Sequence, residues 1–329
     1  MANNRYVMVE QQAFELDTFV TPFVGGGEDH AIDQISEDIS EEHGYVYVQT
    51  SAKRLARNRL LGPRVLGGEV AAPLYTKGTP TLLYYALGAV TTTEPVPALV
   101  PPNYKHDITP GTAIPSFKMA VGKDLNEHGF VGCAMKGVKI DYSVGDPALC
   151  TFDLLIRKEI TPPGTLQTPT FPDYDVKERT FLGVEVTVLV DAVAAGYVRS
   201  MSLDISNDLV EDNHAFGSRE LPNLRVQGLE VSGTVTIAFD DIQRYLDVLD
   251  ETESKFEFLF ATGTLGTAGY RQVEIVLPKV SYDTAKLPTD SNKEYVLEVN
   301  FTAEIDPDVD EDPITINIFN DESASELIA

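Results

Sequence analysis

One order of secondary-structure elements runs through this chain twice, and that repetition constrains its fold more than any other feature. In the first copy, Tyr45, Tyr47 and Gln49 alternate with Val46 and Val48, the period-two pattern of a strand rich in β-formers. A long polar loop from Ser51 to Pro63 follows, then a strand from Arg64 to Thr76, a short helix, and strands around Ser116 to Val121, Gly129 to Tyr142 and Ala148 to Ile160. In the second copy a strand from Val184 to Val190 precedes one from Tyr197 to Ser206. A loop from Asn207 to Pro222, a strand from Leu224 to Phe239, a second short helix and strands at Lys255 to Ala261, Tyr270 to Tyr282 and Lys293 to Ile305 complete it. At residue level, Gly67, Gly68, Glu69 and Val70 parallel Gly228, Leu229, Glu230 and Val231, and Gly137 to Asp141 parallels Pro278 to Asp283.

Each helix carries start and stop chemistry. Thr79 can cap, Pro80 suits the first helical position, Leu83, Ala86 and Leu87 recur at helical spacing, and Gly88 can take the left-handed conformation that ends a helix. In the second copy Asp240 or Asp241 caps, and Ile242, Tyr245, Leu246 and Leu249 share one face. Leu83, Leu87, Ile242, Tyr245, Leu246 and Leu249 are therefore expected to pack the helices on their sheets. Pro162, Pro163, Gly164, Pro169 and Pro172 mark residues 161–175 as a linker, since proline cannot donate to a ladder. The Pro-rich stretch from Glu94 to Pro115 has no counterpart in the second copy and reads as an outward loop. The expected fold is mainly β, with two tandem β-sandwich or barrel domains over 45–160 and 176–306, each with one short flanking helix. An N-terminal arm and acidic segment over 1–44 and an acidic C-terminal tail over 307–329 flank them.

A chain of 329 residues can bury two cores, and 15 Phe and 14 Tyr among 43% hydrophobic residues exclude wholesale disorder. With 51 acidic residues against 25 basic ones, a net charge of −26 argues against gripping nucleic acid through phosphates. Cys133 and Cys150 fall on expected strands and read as free core thiols. Met1 to Glu10 lacks the apolar stretch of a secretory signal, and no apolar run approaches the roughly 20 residues that span a bilayer, so folding in a cytoplasm is expected.

Catalytic and metal chemistry finds little support. His30, His43, His106, His128 and His214 have no ligand spacing, and Gly25 to Gly27 lead into acid, not into a phosphate-cradling turn. Asp306, Asp308 and Asp310 begin like a calcium loop, but Glu311 stands where the turn needs glycine and Asn317 where a bidentate glutamate belongs. No Gly-x-Ser-x-Gly elbow is present, and no carboxylate pair stands out for glycoside hydrolysis in a chain without Trp. The chain is expected to be neither an enzyme nor the holder of a cofactor or metal.

Charge separates the two corresponding loops. The first carries Lys53, Arg54, Arg57, Arg59 and Arg64 without an acid; the second carries Asp204, Asp208, Glu211, Asp212 and Glu220 against Arg219 alone. Each reads either as a solvated hairpin tip or as half of a contact between subunits, where opposite charge fixes register and speeds encounter. Lys53, Arg54, Arg57, Arg59, Arg64, Asp208, Glu211, Asp212 and Glu220 are the candidates for inter-subunit or inter-ring contact.

A doubled unit of strand, long hairpin loop, strand, short helix and closing strands resembles the tail tube proteins of tailed bacteriophages, whose fold is shared with the type VI secretion tube. The most similar stretches are Gly67 to Gly88 and Tyr270 to Ile305, and the resemblance covers Tyr45 to Ile305. It implies two tail-tube-like domains, in each of which one sheet joins its neighbours into a β-barrel around a channel while the hairpin loop contacts the next ring. A ring of six such domains closes with three chains, giving a trimer of pseudo-sixfold symmetry. If each domain contributes four strands, about 24 strands spaced ~4.8 Å and tilted ~40° give a backbone diameter of roughly 48 Å and a lumen on the order of 35 to 40 Å. An acidic wall would repel DNA in transit. The implied partners are the chain itself in stacked trimeric rings, the tail initiator, terminator and tape measure proteins, and DNA as non-binding cargo, with no membrane. The implied location is the virion tail, assembled in the host cytoplasm. Two other classes fit the β pattern: an acidic two-domain surface or adhesion module, and a β-sandwich hydrolase with a perturbed carboxylate in a pocket.

Overall fold

The computed structural model describes residues 5–17, 31–32, 34–48, 58–95, 102–166, 180–182, 185–195, 198–211, 214, 216–238, 253–265, 269–286, 296–306, 311–323 and 327. In chain order the strands are β1 (Arg5–Gln11), β2 (Ala31–Ile32), β3 (Ser36–Glu37), β4 (Ser40–Val48), β5 (Asn58–Pro73), β6 (Gly88–Thr93), β7 (Tyr104–Pro110), β8 (Phe117–Lys123) and β9 (Asn126–Ser143). They continue with β10 (Leu149–Gly164), β11 (Val186–Val190), β12 (Val193–Ala194), β13 (Val198–Ser206), β14 (Glu230–Ala238), β15 (Ser254–Leu265), β16 (Gly269–Lys286), β17 (Val296–Ala303) and β18 (Thr315–Asn320). The helix α1 (Thr79–Leu87) separates β5 from β6. All the strands are hydrogen-bonded into one 18-stranded antiparallel network, so the mainly β class expected from alternation is what forms.

One ladder pattern occurs twice in that network. β4, β5, β10, β9, β8 and β1 pair in that order, and β13, β14, β17, β16, β15 and β11 pair in the same order. The two sets share a bulge at one ladder, at Lys136 between the pairs Leu154–Met135 and Asp153–Gly137, and at Asp283 between Phe301–Tyr282 and Asn300–Thr284. Aligning the bulges matches Leu66 with Val231, Gly68 with Gly233 and Val70 with Val235. Gly233 needs to be glycine, because a Cβ there would meet Ser202 O at 2.7 Å. This register departs from the short identities read in the sequence, where Gly68 stood against Leu229. A slip of an even number of residues leaves every side chain on its face, so the pattern alone does not reveal it.

Four segments differ from expectation. The N-terminal stretch supplies β1, with Tyr6 to Val9 buried against β8. The Pro-rich insertion supplies β7, paired with β6 and β18, with Pro110 at its end where no further ladder bond is needed. The acidic tail supplies β18, with Ile314, Ile316, Ile318 and Phe319 buried between β16 and β7. β18 lies beside β16 as the far half of β10 lies beside β9, so the acidic stretch after Ala303 interrupts what β10 does in one piece. In the expected linker, β10 continues through Pro162 and Pro163 to Gly164, and a register irregularity after Ile160 keeps both prolines out of the ladder.

All nine residues of α1 are buried, Leu83 and Leu87 among them, and Gly88 ends the helix at φ 100° with its N–H on Tyr84 O. Gly78, not Thr79, occupies the cap position, and Thr79 Oγ1 donates to Pro73 O at 3.2 Å. The second helix, with Ile242, Tyr245, Leu246 and Leu249, lies outside the described residues. Cys133 and Cys150 are buried free thiols in the core.

A buried polar node fastens β18. His106 Nδ1 lies 2.9 Å from Thr92 Oγ1 and Nε2 lies 2.9 Å from Asn320 Oδ1, while Asn320 Nδ2 donates to Thr76 O at 2.7 Å and to Glu322 Oε2 at 3.2 Å. Because Asn320 Oδ1 only accepts, Nε2 carries the imidazole proton and the Thr92 hydroxyl donates to Nδ1. Burial lowers the His106 pKa, opposed by Asn320, the Glu322 backbone and Asp107. A base with a depressed folded pKa binds more protons when unfolded, so its contribution is lost as pH falls through the unfolded value of about 6.5. The drop in melting temperature from about pH 7.5 to about pH 5.5 is therefore expected to shrink in His106→Gln. An undiminished drop would show that another group sets the acid limb.

Candidate functional site

Eight strands carry the functional surface. β4, β5, β10, β9, β13, β14, β17 and β16 form one continuous antiparallel run, in which the two ladder sets meet where Ser200–Ser206 of β13 pairs with Ser143–Gly137 of β9. Alternation gives the run two unlike faces. Val70, Phe152, Val138, Leu203, Val235 and Val299 are buried on one. Their neighbours Glu69, Asp153, Lys139, Asp204, Thr234 and Asn300 fall on the other, which opens into a cavity of about 560 Å³ bordered by Glu69, Asp141, Asp153, Asp204 and Glu230.

That polar face is acidic, and its lysines are already engaged. Lys136 lies 2.6 Å from Glu211 and 3.4 Å from Asp153, and Lys139 lies 3.1 Å from Asp141. The hydrogen bond to Glu211 raises the Lys136 pKa, and burial raises that of Asp153 against the opposing pull of Lys136. Further along the run, Thr234 Oγ1 donates to Asn300 Oδ1, Asn300 Nδ2 to Thr284 Oγ1 and Thr302 Oγ1 to Asp283 Oδ2, each at 2.8 Å. Among the described residues this face therefore offers carboxylates and short hydroxyls to a passing molecule, and no lysine without a carboxylate beside it. Among the described residues no group of three or more His, Cys, Asp or Glu could hold a metal ion.

The run ends in two open borders. Among the described residues β4 pairs only with β5, and Ser281–Lys286 of β16 pairs only with β17. Beyond Leu66, where β10 stops pairing, residues 58–65 of β5 continue beside β4 as a hairpin of roughly 25 Å at ~3.3 Å per residue, held at its base by the Arg64 N–H on Arg219 O at 2.9 Å. Tyr45, Val46, Tyr47, Leu60 and Leu61 are exposed on it, by 37% to 62%, and the Arg59 guanidinium sits 4.1 Å over the Tyr45 ring. Exposed apolar groups gathered in this way mark an interaction surface.

The contact candidates fall into distinct places. Arg59 is on the hairpin, Arg64 is 3.1 Å from Glu41, and Lys53, Arg54, Arg57 and Asp212 lie outside the described residues. The acidic loop between β13 and β14 folds onto its own chain: Glu211 meets Lys136, Glu220 lies 3.6 Å from Arg157 and 3.8 Å from Lys158, and Arg219 Nε donates to Gly62 O at 2.8 Å. Asp208 shapes that loop at φ 41°, with its carbonyl accepting from Gln227 N–H at 3.1 Å. Sequence reading did not single out Lys136, Arg157 or Lys158, nor Glu69, Asp141, Asp153 and Glu230 as acids of one face, and it placed Asp204 with the loop and not on the face. Alternation in Lys139–Asp141, Thr151–Asp153 and Ser202–Asp204 held the signal for the face; which strands adjoin did not show.

No curated protein matches the chain. A family model for the phage tail tube protein matches residues 50–303, which takes in β5 to β17 and so all of the second ladder set and the first set apart from β1 and β4. With a match of that extent, the chain belongs to the phage tail tube protein family, and its role is a structural one in the virion tail.

Proposed function

We propose that three copies of this chain close edge to edge, β4 of one on β16 of the next, into a ring of pseudo-sixfold symmetry, and that such rings stack into a tube that passes DNA without binding it. The observation that carries this reading is the eight-stranded run with a border open at each end. Three copies supply about 24 strands, the number that encloses a wall of roughly 48 Å at ordinary spacing and tilt. Closure pairs borders that would otherwise invite aggregation, and a head-to-tail contact that closes on itself gives a ring, not a fibre. In this reading each chain holds two copies of one unit, the first starting at β1 and the second ending at β18, and the acidic polar face lines the lumen.

The hairpin, with Arg59 and the neighbouring Lys53, Arg54 and Arg57 in the sequence, is the contact between subunits in this reading, while the acidic loop that carries Asp208 packs on its own chain. The tail initiator, terminator and tape measure proteins are the implied further partners, and assembly takes place in the host cytoplasm. Sedimentation of the purified chain tests the reading. A monomer of 36.0 kDa should give way with concentration to a species of about 108 kDa and then to hollow rods in negative stain. Six-chain rings, or monomers alone at about millimolar concentration, would overturn it.

A further inference from the structure

The seam inside the chain is a template for the seam between chains, because the ladder register relates the two residue by residue. Lys136, the extra residue on β9, corresponds to Asp283, the extra residue on β16. Arg157, which follows Ile156 on β10, corresponds to Glu304, which follows Ala303 on β17. Both positions change sign.

Within the chain, the β13–β14 loop crosses onto the first ladder set. Asn207 Nδ2 donates to Ala86 O at 2.9 Å and to Met135 O at 3.0 Å, Glu211 meets Lys136 at 2.6 Å, and Glu220 lies 3.6 Å from Arg157. The corresponding β4–β5 loop has opposite charge, with Arg59 on the described hairpin and Lys53, Arg54 and Arg57 beside it in the sequence. The corresponding receiving corner is acidic. Asp283 and Glu304 are exposed there, and the nearby Lys279 is held 2.8 Å from Glu253. Loop and receiver are thus both inverted.

We propose that the contact between subunits copies the contact inside the chain with its charges exchanged: the β4–β5 hairpin, through Arg59, lies over Asp283 and Glu304 of a second copy of this chain. The proposal rests on the ring reading above. Its consequence is specificity, since an acidic β13–β14 loop placed on that acidic corner, or a basic loop on the Lys136 corner, meets like charge. First ladder sets then join only second ones, and the ring closes in one direction.

Charge exchange tests this on the full chain. Asp283→Lys with Glu304→Lys is expected to lose the trimer at concentrations where the wild type forms it. Adding Arg59→Glu, Arg57→Glu and Arg54→Glu should restore the trimer. Trimers of the corner variant at wild-type concentration, or no recovery in the combined variant, would overturn the contact while leaving the ring reading standing. A wild type that stays monomeric overturns both. If the corner variant does not fold, cysteines at positions 59 and 304 decide, because Cys133 and Cys150 are buried and do not compete. The Arg59→Cys, Glu304→Cys chain should oxidise to covalent dimers and trimers, and monomers after oxidation of assembled rings would refute the contact.

Discussion

Tubes built from the Glu69→Lys, Asp204→Lys, Glu230→Lys variant are expected to retain double-stranded DNA that wild-type tubes do not hold. The three acids are exposed, lie on β5, β13 and β14, and border the same cavity, so the exchange reverses the sign of one continuous surface with little cost to the core. Three chains then present about nine new lysines per ring. Binding that neutralises roughly six to ten phosphates weakens by about 10³ to 10⁵ between 50 and 200 mM salt, a dependence that identifies phosphate contact as its cause. In the proposed ring, a duplex about 20 Å wide in a channel of roughly 35 to 40 Å would leave a gap near the ~8 Å Debye length. Repulsion would then act close to the wall and keep the duplex centred without opposing its passage. Co-sedimentation of DNA with rods across a salt series measures the difference. Variant tubes that ignore DNA at about 50 mM salt would mean that this face looks outward.

The strands that alternate were legible because each has one wet and one dry face. Val138 to Tyr142, Tyr197 to Ser206 and Tyr270 to Tyr282 lie within or close to β9, β13 and β16 for that reason, whereas Gly129 to Met135 of β9 is buried on successive residues. β1 and β18 were harder to read: Tyr6 to Val9 is a short apolar run buried on successive residues, and in β18 the alternation of Ile316 and Ile318 with Thr315 and Asn317 is brief and set in an acidic segment. β7 does alternate, with His106 and Ile108 buried and Lys105 and Asp107 less so, but the surrounding prolines outweighed that signal. The candidate site depends on partners distant in sequence. Nothing local to Gly137 or Ser206 says that they pair, and the match of Glu211 with Lys136 exists only because the β13–β14 loop turns back across β9. Charge on the loops was readable; the surface each loop meets was not.

Replacing Arg54, Arg57 and Arg59 together by glutamate is expected to leave a folded monomer that does not assemble. Among the described residues the Arg59 guanidinium lies over the Tyr45 ring, and an exposed cation–π contact contributes about 0.5 to 1 kcal/mol, so the melting temperature should move by no more than a few degrees. Assembly responds far more strongly. At about 1 kcal/mol for each charge turned from attraction to repulsion, one inter-subunit contact loses about 3 kcal/mol, more than a hundredfold in its constant. Three such contacts would close the proposed ring, so the trimer is then disfavoured by a factor on the order of 10⁶. Sedimentation equilibrium and thermal melting on the same sample separate the two effects. Glu220→Lys supplies the contrast, because Glu220 faces Arg157 and Lys158 of its own chain. Its reversal should lower the melting temperature while trimers still form, whereas a triple arginine variant that assembles normally would remove the hairpin from the interface.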